Sequence, residues 1–384
     1  MARPHRSWLT APLLALLLGI APLTAAAADA PPEPFRRAQG TRHWAFPRDH
    51  GQHPGYRLEW WYYTGNLETA AGRRFGYQVT FFRLALPPRG DGRASAWAAD
   101  SLYLAHAALS DVARTDFAHD GRVGRDSLGV SGAALDRHAV WLGPWRADAL
   151  SDDPHGVTLS VPAEGFVLTL TLRARKPPVL HGDAGLDQKG PQTGQASWYY
   201  SLTRLETTGT IEVNGVRHAV TGMSWMDHEF GTNQLAADQA GWDWFAIRLD
   251  DGSDLMLYRL RGKDGSTGAF SGGSLIDPAG GVTALAPDRG DGAGYRLEPL
   301  RRWRSPRSEG SYPVAWRIAV PQGALLLETT PAFDAQELLP GRGVPFPYWE
   351  GAIMVRGTRA GRPLRGEGYM ELTGYAGSLN AFFE

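Results

Sequence analysis

Alternation of apolar and polar side chains runs through most of the chain after residue 55, and it limits the available folds more than any other feature. FGYQVTFFRL (75–84), SLYLAHAAL (101–109), GFVLTLTLRA (165–174) and WYYSLTRL (198–205) are rich in aromatic and β-branched residues. Such residues suit a pleated surface with one face buried. In the second half, DWFAIRL and DLMLYRL meet around Asp250-Asp251-Gly252-Ser253, an Asp-Gly turn of the kind that closes hairpins. AWRIAV and ALLLETT flank Pro321-Gln322-Gly323, and GAIMVRGTR and GEGYMELTGY flank Gly361-Arg362-Pro363. Only the stretches near 232–239 and 332–339 suit even short helices. The pattern predicts an all-β protein.

EWWYYTGNL followed by FGYQVTFFRL is echoed by GWDWFAIRL followed by DLMLYRL. Each is an aromatic strand, a turn, and a strand ending in aromatic-Arg-Leu. Two related antiparallel units follow, divided between residues 55–236 and 237–384. Units of this size close as barrels or pack as sandwiches, and a barrel can enclose a cavity lined by alternate residues. Either Trp60 and Tyr62 or Trp61 and Tyr63 point inward, since the strand's parity is not readable from its sequence.

The N-terminus has a different character. Arg3 and Arg6 precede an apolar run from Leu9 to Leu23 that ends in TAAAADA. This reads as a secretory signal peptide, residues 1–28, cut after Ala28 and followed by an arm over 29–54. The expected location is periplasmic or secreted. The chain contains no Cys, so disulfides, lipid-anchor cysteines and thiolate redox or zinc chemistry are excluded. The formal net charge is −1, with no long basic run, so nucleic acid is not an expected partner. The 14 Trp, 13 Tyr and 14 Phe furnish a core and also suit a pocket for a large apolar ligand.

The serine-hydrolase elbow, the zinc-protease helix and the phosphate-binding loop motifs are all missing from the sequence. His43, His50 and His53 have no established metal spacing and read as part of a surface arm. His106, inside an apolar strand, reads as a hydrogen-bonded core residue or a ligand contact. SWMDHEFG (224–231) places three titratable groups between Trp225 and Phe230. If extended, it projects Asp227 and Glu229 from one face and His228 from the other. Two carboxyls beside an apolar cavity cannot both ionise cheaply, so one keeps its proton, as a general acid must. The alternative is a strand end whose acids cap the following turn. Glu59 and Glu350 are also acids amid aromatics; each serves a site or pairs with an arginine such as Arg83, Arg248 or Arg259.

EWWYYTGNL, SLYLAHAALSD, ASWYYSLTRLETTGTI, GMSWMDHEFG and YWEGAIMVRGT, in this order, resemble the lipocalin-like family that includes bacterial carotenoid 1,2-hydratases, and more closely its secreted AttH-like branch. The resemblance spans about residues 40–378 and implies two consecutive lipocalin-like antiparallel β-barrel domains. It implies cofactor-independent addition of water to an isoprenoid or lipid-like C=C bond. Asp227 would then be the acid, His228 and Glu229 its assistants, and Trp242, Trp244 and Tyr258 the site lining. Trp60, Trp61, Tyr63, His106 and Trp225 complete the expected ligand contacts, together with Trp349 and Glu350. No metal or cofactor is expected. The other function open to the chain is a non-catalytic carrier of an apolar ligand, working beside an ABC-type membrane transporter.

Overall fold

The computed structural model describes residues 34–87, 98–232 and 238–377. Among these residues there is no α-helix, and three short 3₁₀ turns interrupt the strands. Every ladder in the two sheets is antiparallel. The first sheet spans strands between Leu58 and Gly231 and forms a nearly closed barrel; the second, between Gln239 and Leu372, forms a half-barrel. The fold is therefore the all-β pair of lipocalin-like barrels.

The internal echo has a topological counterpart. Leu58–Glu68 pairs with the next strand, Arg74–Ala85, and with the last long strand of its sheet, Val216–Gly231. Gln239–Leu249 likewise pairs with Asp254–Gly262 and with the last strand, Arg362–Leu372. The turns behave as their residues require. Gly252 closes its hairpin at φ +87°, and Ala360 and Gly361 both take left-handed conformations between Arg359 and Arg362, the two-residue geometry that matches strand twist.

Two expectations need correction. No helix forms near 332–339. The Gln336 carbonyl instead accepts from Glu350 N–H and its side-chain Oε1 from Ala352 N–H, and Glu337–Leu338 pairs as a short strand. Pairing with a neighbouring strand overrides a weak local helix preference. The other expected helix, near 232–239, falls largely on residues 233–237, outside the described residues, as does the signal segment 1–28. The arm is the second correction: Asp49, His50 and His53 are buried, with only His43 of the three histidines exposed.

Alternation splits each strand between two environments. Trp61, Tyr63, Tyr77, Phe81 and Trp145 fill the first barrel. Phe245, Leu257, Trp316, Trp349 and Ile353 fill the second. The opposite faces of the two sheets meet each other through Tyr62, Tyr199, Trp225, Trp244, Tyr258 and Tyr369. Close approach depends on Gly76, where a Cβ would lie 2.6 Å from that of Ala352. A buried ion cluster holds the sheets together: Asp254 of the second accepts from Lys176 and Arg204 of the first, each at 2.8 Å.

Candidate functional site

Between the two sheets lies a cavity of about 110 Å³, room for several waters. Trp60, Tyr62 and Phe82 wall it from the first sheet, Trp242, Trp244 and Tyr258 from the second. Four carboxylic side chains also reach it: Asp227, Glu229, Glu350 and Glu371, with Lys189 as the ammonium among its lining groups. The register explains this convergence. Trp60 lies opposite Glu229 and Tyr62 opposite Asp227 on one side; Tyr199 lies opposite Glu229 and Ser201 opposite Asp227 on the other. In the second sheet Glu350 faces Glu371 directly across two strands, and Trp244 flanks Glu371.

Asp227 is held by three donors. Tyr199 donates its hydroxyl to Oδ2 at 2.5 Å, Trp225 donates Nε1–H to Oδ1 at 2.6 Å, and the Ser201 hydroxyl also donates to Oδ1. Trp244 Nε1 donates to the Tyr199 oxygen at 3.1 Å, which leaves the Tyr199 proton directed at the carboxylate. Burial nevertheless dominates and raises the Asp227 pKa to about 6 against these donors. Burial likewise raises Glu229 to about 7, although Lys189 opposes it. Lys189 lies 3.3 Å from Glu229 and 2.7 Å from Asp187. Burial works against its charge, but Asp187 and Glu229 outweigh that and keep it protonated. Burial, and then the facing carboxyl of Glu371, pushes Glu350 far above the ordinary value. The Tyr62 and Tyr348 hydroxyls act against that rise.

His106 borders the cavity. Its Nε2 lies 2.9 Å from the Gly343 carbonyl and its Nδ1 2.8 Å from the Tyr348 hydroxyl. A carbonyl can only accept, so the network puts the proton on Nε2 and Tyr348 donates to Nδ1. Burial lowers the His106 pKa to about 4, so the ring is neutral and orients Tyr348 at the cavity edge.

The structure separates the expected site residues. Trp60, His106, Asp227, Glu229, Trp242, Trp244, Tyr258 and Glu350 line the cavity. Trp225 sits behind Asp227 as its hydrogen-bond donor. Trp61 and Tyr63 point into the first barrel, and Trp349 into the second, where its Nε1–H donates to the Asp334 carbonyl. His228 also turns away, as alternation requires. Its Nε2 lies 2.9 Å from Glu59 and its Nδ1 2.9 Å from the Tyr200 hydroxyl. These four are set aside as contacts of this cavity. Glu59 takes the arginine-paired alternative, 3.0 Å from Arg83. His53, Glu59 and His228 bring ligand-type atoms within 4.8 Å of one another, but the Arg83 guanidinium already occupies the other carboxylate oxygen and opposes a cation there.

Sequence reasoning missed Lys189, Tyr199 and Glu371. Glu371, between Met370 and Leu372, carries the same signal as Asp227, an acid inside an apolar strand. Lys189 directly follows the short strand Leu186–Gln188 and has no such pattern.

A family model described as AttH-like matches residues 37–375. The crystal structure of an AttH from Nitrosomonas europaea is 38% identical, with a TM-score of 0.78, covering 89% of this chain and all of that one. Kievitone hydratase from Nectria haematococca shares the fold at 17% identity, with a TM-score of 0.65 over 88% of this chain and 97% of that one. No curated protein matches the sequence.

Proposed function

The chain belongs to the AttH-like family, and we propose that it takes an apolar, alkene-bearing ligand into the intersheet cavity and adds water across its C=C bond. The observation that carries this reading is Asp227: a carboxyl that keeps its proton up to about pH 6 while facing an aromatic cavity. Asp227 protonates the alkene carbon, and the resulting cation lies against the faces of Trp60, Trp242 and Trp244. Water attacks the cation and gives its proton to Glu229, whose ionised form Lys189 favours. A fold shared with a hydratase is compatible with this chemistry, and the site residues supply the argument.

The test is incubation with prenyl-bearing alkenes in ¹⁸O-water, read by mass spectrometry. A product heavier by one labelled water is expected. The rate should peak between about pH 6 and 7, because Asp227 must be protonated and Glu229 ionised. Uptake of the alkene without any mass gain, across that range, leaves the carrier reading in place.

We place this activity outside the cytoplasm, with an ABC-type transporter as a partner in ligand traffic. The intact mass of protein recovered from the periplasm should correspond to a chain starting at Asp29. Recovery of the chain with Met1 in the cytoplasmic fraction contradicts that placement.

A further inference from the structure

We infer that Asp227 exchanges its proton with solvent by a back route through Ser201 and His181, separate from the apolar cavity. This route rests on the reading of Asp227 as the acid. Once an apolar ligand fills the cavity, the aromatic wall excludes the water that would otherwise recharge the carboxyl.

Behind Asp227 a different path is already hydrogen-bonded. The Ser201 hydroxyl donates to Asp227 Oδ1. His181 Nε2 lies 2.6 Å from the Ser201 oxygen, and His181 Nδ1 lies 2.9 Å from the Ser274 hydroxyl. Because Ser201 spends its proton on Asp227, it accepts from His181 Nε2–H, and Ser274 donates to the bare Nδ1. His181 packs against Tyr199, with ring centroids 4.3 Å apart. It also walls a second pocket of about 270 Å³, whose other residues include Gly182, Ser271, Gly272 and Gly273. Asp227 and His181 therefore link two pockets, the second with Asp183, Asp187 and Ser271 on its wall and Tyr258 shared between the two.

The step balances without a stored charge. An incoming proton is taken up by the Ser274 oxygen as Ser274 passes its own proton to His181 Nδ1. The Nε2 proton passes to Ser201, and the Ser201 proton passes to Asp227, which ends neutral. Burial, and then Lys189, lowers the His181 pKa to about 3, so the imidazole passes a proton on and does not hold it. Turnover creates the need for this path. Hydration leaves Asp227 ionised and Glu229 protonated; this route returns Asp227 to its acid form while product still fills the cavity, and Glu229 gives its proton to water as product leaves.

The test needs no turnover. The protonated Asp227 carboxyl is followed by time-resolved infrared absorption after a pH jump across pH 6, its band identified by loss in Asp227→Asn. The cavity is filled with saturating decan-1-ol, whose uptake is read from tryptophan fluorescence. Wild type is expected to exchange freely under these conditions. His181→Phe, which keeps a ring against Tyr199, should slow exchange at least tenfold. In His181→Ala, added imidazole should restore the rate, which a merely structural role would not produce. Exchange halted by decan-1-ol in wild type, or unchanged in His181→Phe, overturns the route. If His181→Phe does not fold, failure of imidazole to speed His181→Ala does the same. A hydration rate unaffected by Asp227→Asn instead removes the catalytic reading, a result distinguishable from these exchange rates.

Discussion

Asp227→Asn is expected to lower the hydration rate by about 10²–10⁴-fold, the usual worth of a positioned general acid, while ligand affinity changes by less than about threefold. The substitution keeps the shape of the side chain and removes its transferable proton. It also exchanges an acceptor for an amide NH₂ beside Trp225, Ser201 and Tyr199, all of which donate to the native carboxyl. Some loss of stability, about 1–3 kcal/mol, follows from unsatisfied donors in a buried site. Binding of the alkene by fluorescence, turnover by mass spectrometry and urea unfolding separate the three effects. Retained binding with lost turnover identifies the acid. Retained turnover sinks the catalytic reading, and a chain that cannot fold marks Asp227 as a structural hub.

Arg83→Met is expected to cost about 3–5 kcal/mol of stability in urea unfolding, the range found when one partner of a buried pair is removed. Arg83 is 1% exposed and Glu59 fully buried. Its guanidinium holds Glu59 at 3.0 Å and donates to the carbonyls of His53 and Tyr56 at 3.0 and 2.9 Å. Without it, the carboxylate faces only the imidazoles of His53 and His228 and a backbone N–H. Burial by itself would raise the Glu59 pKa, but Arg83, His228 and His53 outweigh it and hold the group far below its ordinary 4.5. A lowered folded-state pKa contributes stability that is complete above the unfolded value and lost as pH falls through the folded one. The deficit of Arg83→Met should therefore be largest above about pH 4.5 and shrink on acidification. A deficit independent of pH would assign the cost to the lost carbonyl contacts instead. The cavity, on the other face of the same strand, should keep its ligand affinity, because Glu59 and Trp60 point in opposite directions.

These two substitutions also mark how far the sequence could be read. Alternation in SWMDHEFG placed Asp227 and Glu229 together and His228 opposite, and the strand Val216–Gly231 keeps that division. The same rule could not choose between Trp60 and Trp61. Both are large aromatics in one strand, and period two assigns them to opposite faces without saying which face is which. Nor could it show that the face without the barrel core is buried too. Trp60 and Tyr62 are covered by Trp242, Trp244 and Tyr258 from two strands more than a hundred residues away. Glu371 had a readable signal, whereas Lys189 had none, because its place beside Glu229 depends on how the loop before Ala196–Val213 returns to the sheet.

Local chemistry alone determined the strands, their turns and the pairing of acids on one face, since the period-two pleat and the φ > 0 demands of tight turns act over a few residues. Only the tertiary structure decided that two sheets meet face to face and gather Asp227, Glu229, Glu350, Glu371 and Lys189 around one cavity. Desolvation depends on everything that surrounds a group, and the neighbours that desolvate Asp227 come from both halves of the chain.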